Sequence, residues 1–280
     1  MSELRGRIEE TVADGRMGDR LWLYATYHCN LACVYCLTES HPRIADRRTL
    51  SRKTMRRAVR EAEQLGFTCV GITGGEVFML PDFADTLRDA AEILPTVALT
   101  NGTLFTDRLL ARLQALDGLD VALQLSLDSD VPSRNDALRG PENFAKVIDA
   151  IPKLLERGLR VRIATTVEHQ TPDELERLCD LHRRLGIPDE NHVVRAVVRR
   201  GRAAVEELGV ELGPYDVLPE LTLTADGAFV HPFAPTVRHG VTDLDLLVSR
   251  QIAPLELPAQ AFLRVVAEQP VGDDVVRNVR

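Results

Sequence analysis

Long apolar runs are missing from this chain of 280 residues. Nowhere do eighteen apolar residues follow one another, which excludes a conventional membrane-spanning helix. The opening MSELRGRIEETVADGR is charged and helix-like and has no apolar signal core, so a cytoplasmic protein is expected. Cysteine is scarce as well, and the odd total of 5 excludes a fully paired disulfide framework. The positive charges are nearly all Arg and lie scattered along a chain of net charge −8. Neither nucleic acid nor an anionic membrane is therefore expected as a partner, since both require a concentrated basic surface.

What is present is enough apolar sequence for a sizeable core, 45% of residues, arranged in a clear rhythm. From residue 21, short β-branched or apolar runs alternate with amphipathic stretches. The runs LWLYATYH, CVGITGG, TVALTNG, DVALQLSLD, RVRIATTVE and NHVVRAVV read as strands. Ser51 to Leu65, Pro81 to Ile93, Asp107 to Leu116, Glu142 to Arg157 and Thr171 to Leu185 read as helices. Ser51 suits an N-cap and Pro172 a first turn. Six βα units with no fixed-period repeat imply an α/β fold with a parallel sheet and right-handed crossovers, doubly wound or curved into a barrel. After Arg202 the rhythm changes. LPELTLTADGAFVHPF carries two alternating runs about Asp226-Gly227, a hairpin signal. DLDLLVSR reads as a short helix, and Pro258 to Glu268 as another. This portion is expected to form a small α+β appendage rather than a seventh repeat.

Three of the five cysteines fall in one stretch, CNLACVYC, which places Cys29, Cys33 and Cys36 just past the first strand. Loops at the carboxyl ends of parallel strands are where such folds gather function. Structural zinc needs four closed ligands, and the nearest fourth, His28, adjoins Cys29 in extended chain and so aims to the opposite face. An iron–sulfur cluster on three thiolates leaves one iron open to a small-molecule ligand, which gives a reason for having no fourth cysteine.

CNLACVYC resembles the CxxxCxxC loop of radical S-adenosylmethionine (SAM) enzymes, including the aromatic Tyr35 before the last cysteine. Gly74-Gly75-Glu76 is similar to the family's GGE motif, and Ser126-Leu127-Asp128 to its ribose-contacting position. Thr100-Asn101-Gly102, SRNDALRG from Ser133 and RAVVRRGRA from Arg195 resemble the branch with a SPASM or twitch C-terminal extension, many of whose members modify peptides. The resemblance implies a partial (βα)6 TIM-like barrel with a small C-terminal α+β extension. It divides the chain into a helical segment at 1–20, a core at 21–203 and the extension at 204–280. It also implies a [4Fe-4S] cluster on Cys29, Cys33 and Cys36, with SAM on its open iron. Tyr35, Gly74, Gly75, Glu76, Asn101, Ser126, Asp128 and Arg195 are then the expected SAM-site residues. Glycines suit a close backbone approach to a ligand, Glu76 suits an ammonium, Ser126 or Asp128 suits ribose hydroxyls, and Arg195 suits a carboxylate. The implied partners are a peptide or small-molecule substrate and an electron donor such as flavodoxin or ferredoxin. A non-catalytic peptide-binding protein with a structural metal is the alternative from another class.

Cys69, at the far end of its strand, and Cys179, on a helix, read as packing residues. His182 and His192 read as ordinary helix or strand-edge residues, and Tyr24, His28 and Glu168 as weaker candidates for a pocket wall. The extension departs from its relatives in having no cysteine, with His231-Pro232 near the place of an expected Cys-Pro. An auxiliary cluster is therefore not expected, and neither is chemistry that needs one as electron acceptor.

Overall fold

The computed structural model describes residues 2–46, 48–213 and 216–268; the last part of the expected extension, 269–280, lies outside them. Six parallel strands run in chain order: β1 (Arg20–Tyr24), β2 (Cys69–Thr73), β3 (Thr96–Thr100), β4 (Val121–Ser126), β5 (Arg160–Val167) and β6 (His192–Ala196). A helix precedes β1, α1 (Ser2–Ala13), and helices fill the crossovers: α2 (Arg52–Leu65), α3 (Phe83–Ala91), α4 (Asp107–Leu113), α5 (Pro132–Arg139), α6 (Asn143–Leu155) and α7 (Pro172–Arg184). Of these α5 was not foreseen; it occupies the stretch read only as a motif. β6 ends the sheet without meeting β1, so the barrel is partial.

Alternation along each strand separates two environments. Leu21 and Leu23, Val70 and Ile72, Leu123 and Leu125, and Val161 and Ile163 turn outward into the main apolar core beneath the helices. Burying each such side chain contributes about 1.5–3 kcal/mol. The intervening residues, Trp22 and Tyr24 on β1 and Ser126 on β4, turn into the barrel. The helices start where local chemistry directs. Ser51 accepts from the Thr54 N–H, and Thr171 and Glu174 form a reciprocal capping box with Pro172 in the first turn.

The extension is not set apart from the barrel. A short helix, α8 (Arg202–Val205), leads to the hairpin β7 (Thr222–Thr224) and β8 (Gly227–Phe229), which turns at Ala225-Asp226, one residue before the expected Asp226-Gly227, because Gly227 already pairs with Thr224. β7 then pairs parallel to β1, Trp22 opposite Thr222, so that the hairpin prolongs the barrel sheet. The helix expected at DLDLLVSR is corrected. After β9 (Thr236–Arg238) and β10 (Val241–Asp243), this stretch forms β11 (Leu247–Ser249), antiparallel to β8. Leu244, Leu247 and Val248 have helical spacing, yet the edge of β8 offers backbone partners that local periodicity cannot reveal. A terminal helix, α9 (Glu256–Ala267), packs Phe262, Leu263 and Val266 into the main core.

Where this hairpin meets β1, Glu220 is nearly inaccessible and accepts a 2.8 Å hydrogen bond from the Trp22 indole N–H, with the Arg20 guanidinium 3.8 Å away. Burial pushes its carboxyl from 4.5 up to about 7. A folded-state value above the unfolded one favours the folded chain below about pH 4.5, and this advantage is lost progressively as pH rises to about 7. Glu220→Gln keeps an acceptor for Trp22 and removes the charge. It is expected to exceed the wild type in stability by roughly 2–4 kcal/mol at pH 8 and to differ little near pH 4.5. Urea denaturation at the two pH values checks this, and a difference that does not grow with pH would contradict it.

Candidate functional site

One cavity opens at the carboxyl ends of the six strands, and all three clustered cysteines line it. The loop that carries them is held from several sides. The Cys36 N–H donates to the Cys33 carbonyl, the Arg202 N–H donates to the Cys36 carbonyl at 2.9 Å, and the Arg202 guanidinium donates to the carbonyls of Cys33 and Ser40. Gly201 makes this clamp possible. It lies at φ +57°, and a Cβ there would run into the Leu37 carbonyl. The extension adds a further tie, because the Val237 N–H donates to Leu37 O at 3.0 Å.

Gly74 and Gly75 also line the cavity, but their need for glycine comes from the chain itself. The N–H groups of Gly75 and Glu76 donate to the carbonyls of Thr26 and His28 at 2.7 and 2.8 Å. A Cβ on Gly74 or Gly75 would occupy the space of those same oxygens. The two glycines thus let the end of β2 lie flat against the start of the cysteine loop.

Tyr35, Asn101, Ser126 and Arg195 stand in the cavity wall with them. Glu76 and Asp128 do not: each is fully buried just behind it. The Glu76 carboxylate accepts from the Thr100 hydroxyl, the Phe78 N–H and the Asn101 N–H at 2.8, 3.0 and 2.7 Å. Burial raises its carboxyl above the ordinary value, and those hydrogen bonds oppose the rise. Among the described residues no cation lies within ion-pair distance of it, and the more distant Arg139 is the cation that favours its charged form. Asp128 accepts from the Thr166 N–H at 2.8 Å, from Arg139 at 3.0 Å and from the Tyr35 hydroxyl. With its oxygens so committed, it positions Tyr35 and Arg139.

Arg139, at the end of α5, was missed as a site residue although the quoted SRNDALRG contains it. Its guanidinium reaches both Asp128 and the Tyr35 hydroxyl, its backbone carbonyl lies 3.6 Å from Cys33 Sγ, and it lines the cavity. Only the Gly-Pro that follows it marks the position in sequence. Arg195 has no carboxylate within ion-pair distance among the described residues; its guanidinium lies 5.5 Å from the Phe233 ring, which with Pro232 brings the extension into the wall. Burial lowers its pKa. Of the weaker candidates Tyr24 lines the cavity, whereas His28 reaches the Pro42 carbonyl and Glu168 accepts from the Gly209 N–H. His182 is buried against the His192 ring, and Cys179 lies 3.4 Å from His192 Nδ1, all away from the cavity wall.

The donor set tests what the cysteines suit. Burial pushes the Cys29 thiol up to about 12 and raises Cys33, so that binding a metal group there must displace protons. Among the described residues no three His, Cys, Asp or Glu side chains converge closely enough to grip a single ion. Soft thiolates spread around a cavity fit a polynuclear iron–sulfur group better than tetrahedral zinc.

Comparison with known proteins agrees. The mycofactocin maturase MftC of Mycolicibacterium smegmatis is 36% identical over 163 residues, which are 58% of this chain and 41% of that protein. The chain thus spans less than half the length of this relative. Streptococcus suis SuiB bound to its precursor peptide SuiA superposes with a TM-score of 0.56 at 21% identity, over 70% of this chain and 43% of that one. The structure of anSMEcpe with bound AdoMet and a peptide gives 0.63 at 12% identity, over 89% and 84%. The radical SAM superfamily model itself matches residues 23–182, more than half of the chain, and the protein belongs to that superfamily.

Proposed function

We propose that this protein is a radical SAM enzyme that uses one [4Fe-4S] cluster to modify a peptide. The carrying observation is that Cys29, Cys33 and Cys36 share one cavity with Gly74, Gly75, Asn101, Ser126 and Arg195 at the carboxyl ends of the barrel strands. Residues 21–203 form the catalytic core in this reading, and the extension from 204 onward closes and shields it.

Cys29, Cys33 and Cys36 would hold the cluster, and Gly74 and Gly75 would offer their wall to SAM. Bound there, the two groups supply a carbon-centred radical able to take hydrogen from a C–H bond when a low-potential carrier such as flavodoxin or ferredoxin delivers an electron. The residues of the chain do the rest. Glu76, held next to Gly74-Gly75, favours an ammonium there, and Arg195 receives a carboxylate. Ser126 meets ribose hydroxyls, and Tyr35, fixed by Asp128 and Arg139, shapes the wall beside Cys36. Phe233 and Pro232 help keep water from the radical. A peptide is favoured over a small molecule because the SuiB and anSMEcpe structures hold peptides on the same fold.

Anaerobic reconstitution with iron and sulfide, followed by SAM and dithionite, tests the reading. A brown protein that forms 5′-deoxyadenosine is expected. A colourless protein that retains zinc and leaves SAM intact would refute it.

A further inference from the structure

We infer that Tyr24 is the hydrogen-atom donor that quenches the substrate radical, a role that rests on the radical reading above. Where the substrate radical is not oxidised it must gain a hydrogen atom, and the donor has to stand in the cavity wall. A phenolic O–H is weaker than an unactivated aliphatic C–H, and transfer from it to an alkyl radical runs downhill.

Two phenols line the cavity. Tyr35 is committed, since its hydroxyl donates to Asp128 and accepts from Arg139. Tyr24 is not. Its hydroxyl has one neutral partner, Thr38 Oγ1, at 3.3 Å, long for a hydroxyl pair. The ring is nonetheless firmly seated, stacked on Tyr27 at 5.2 Å between centroids and packed with Val237 of the extension. Burial and the nearby Cys36 both disfavour its anion, which keeps the hydrogen on oxygen. Thr38 continues the contact to Cys36 Sγ at 3.7 Å and to Ser40 Oγ at 2.8 Å, so Tyr24 stands beside the cysteine loop with a hydroxyl path leading away from it. Neither Cys69 nor Cys179, the thiols outside the loop, lines the cavity.

In the step, the Tyr24 O–H bond breaks homolytically, its hydrogen forms a new C–H bond on the substrate carbon from the face opposite the one that lost hydrogen, so that the centre is inverted rather than restored, and the unpaired electron stays on the phenoxyl. The tyrosyl radical then takes one electron from the same low-potential one-electron carrier and one proton by way of the adjoining Thr38 and Ser40 hydroxyls. The product is closed-shell, and each turnover consumes two electrons, one to cleave SAM and one to restore Tyr24.

A phenolic hydrogen exchanges with solvent and a carbon-bound one does not, so its origin can be read. The reconstituted full chain is incubated in D2O with SAM and dithionite alone, and the adenosyl radical serves as the probe. The 5′-deoxyadenosine is expected to carry solvent deuterium in the wild type and to lack it in Tyr24→Phe. A freeze-quenched wild-type sample is expected to show a tyrosyl resonance that narrows when the protein is made with ring-deuterated tyrosine, a readout that needs no substitution. Deuterium retained in Tyr24→Phe, or its absence together with that of the tyrosyl resonance in the wild type, would overturn the assignment. Failure to form any 5′-deoxyadenosine would instead strike the radical reading itself.

Discussion

Replacing Cys29, Cys33 or Cys36 by Ala, one at a time, is expected to remove the cluster and SAM cleavage together, while Cys69→Ala and Cys179→Ala leave both in place. The first three thiols line one cavity with no other cysteine in its wall, so no spare ligand stands by. Cys69 opens β2 at the opposite end of the barrel, and Cys179 sits beside His192 on α7. Reconstituted wild type should hold about four irons per chain. Iron analysis and the visible absorbance of each variant decide the matter. About eight irons, half of them surviving the triple replacement, would show an additional cluster and defeat the single-cluster assignment.

Arg139→Ala is expected to cost about 3–5 kcal/mol of folding stability, the range for breaking a buried ion pair by deleting one partner. The pair qualifies. Arg139 is 6% exposed and Asp128 is 0% exposed. Removing the guanidinium leaves a buried carboxylate with only the Thr166 N–H and the Tyr35 hydroxyl, and it frees Tyr35 beside Cys36. Part of the loss should therefore return in Arg139→Lys, which restores charge without the planar fork. Urea denaturation of the three proteins measures it. A loss below about 1 kcal/mol, the size seen for exposed pairs, would mean that the network is not the buried brace described here.

The architecture was largely legible in sequence because the barrel strands alternate and several helices carry a start signal of their own, as at Ser51, Thr106 and Thr171. These cues are local. The error at DLDLLVSR arose where the deciding partner, β8, is brought in by the hairpin turn. The cavity wall was legible mainly through the motif resemblance: it named the cysteines, Gly74, Gly75, Asn101, Ser126 and Arg195, and all of them line the cavity. What Glu76 and Asp128 do there was not legible, because their oxygens are claimed by N–H groups on neighbouring strands, and no motif states which lone pairs remain. Arg139 and Arg202 escaped notice for the same reason, since their worth depends on which distant carbonyls and carboxylates they meet.

The parallel pairing of β7 with β1 has a consequence for how the molecule is made. Trp22 and Thr222 are 200 positions apart in the chain, yet they are neighbours in the sheet. Contacts of such sequence separation form slowly, because a long loop must close before they reward it. During synthesis β1 therefore emerges with one flank bare, and Trp22 has neither Glu220 nor the hairpin beside it. The Val237 tie to the cysteine loop comes later still. The loop thus reaches its final seat only after most of the polypeptide has left the ribosome, and metal loading during translation would meet thiols on an unfinished ledge. In a pulse-labelled translation series, chains arrested before the hairpin should protect the amides of β1 poorly against hydrogen exchange, and chains arrested beyond β9 should protect them well.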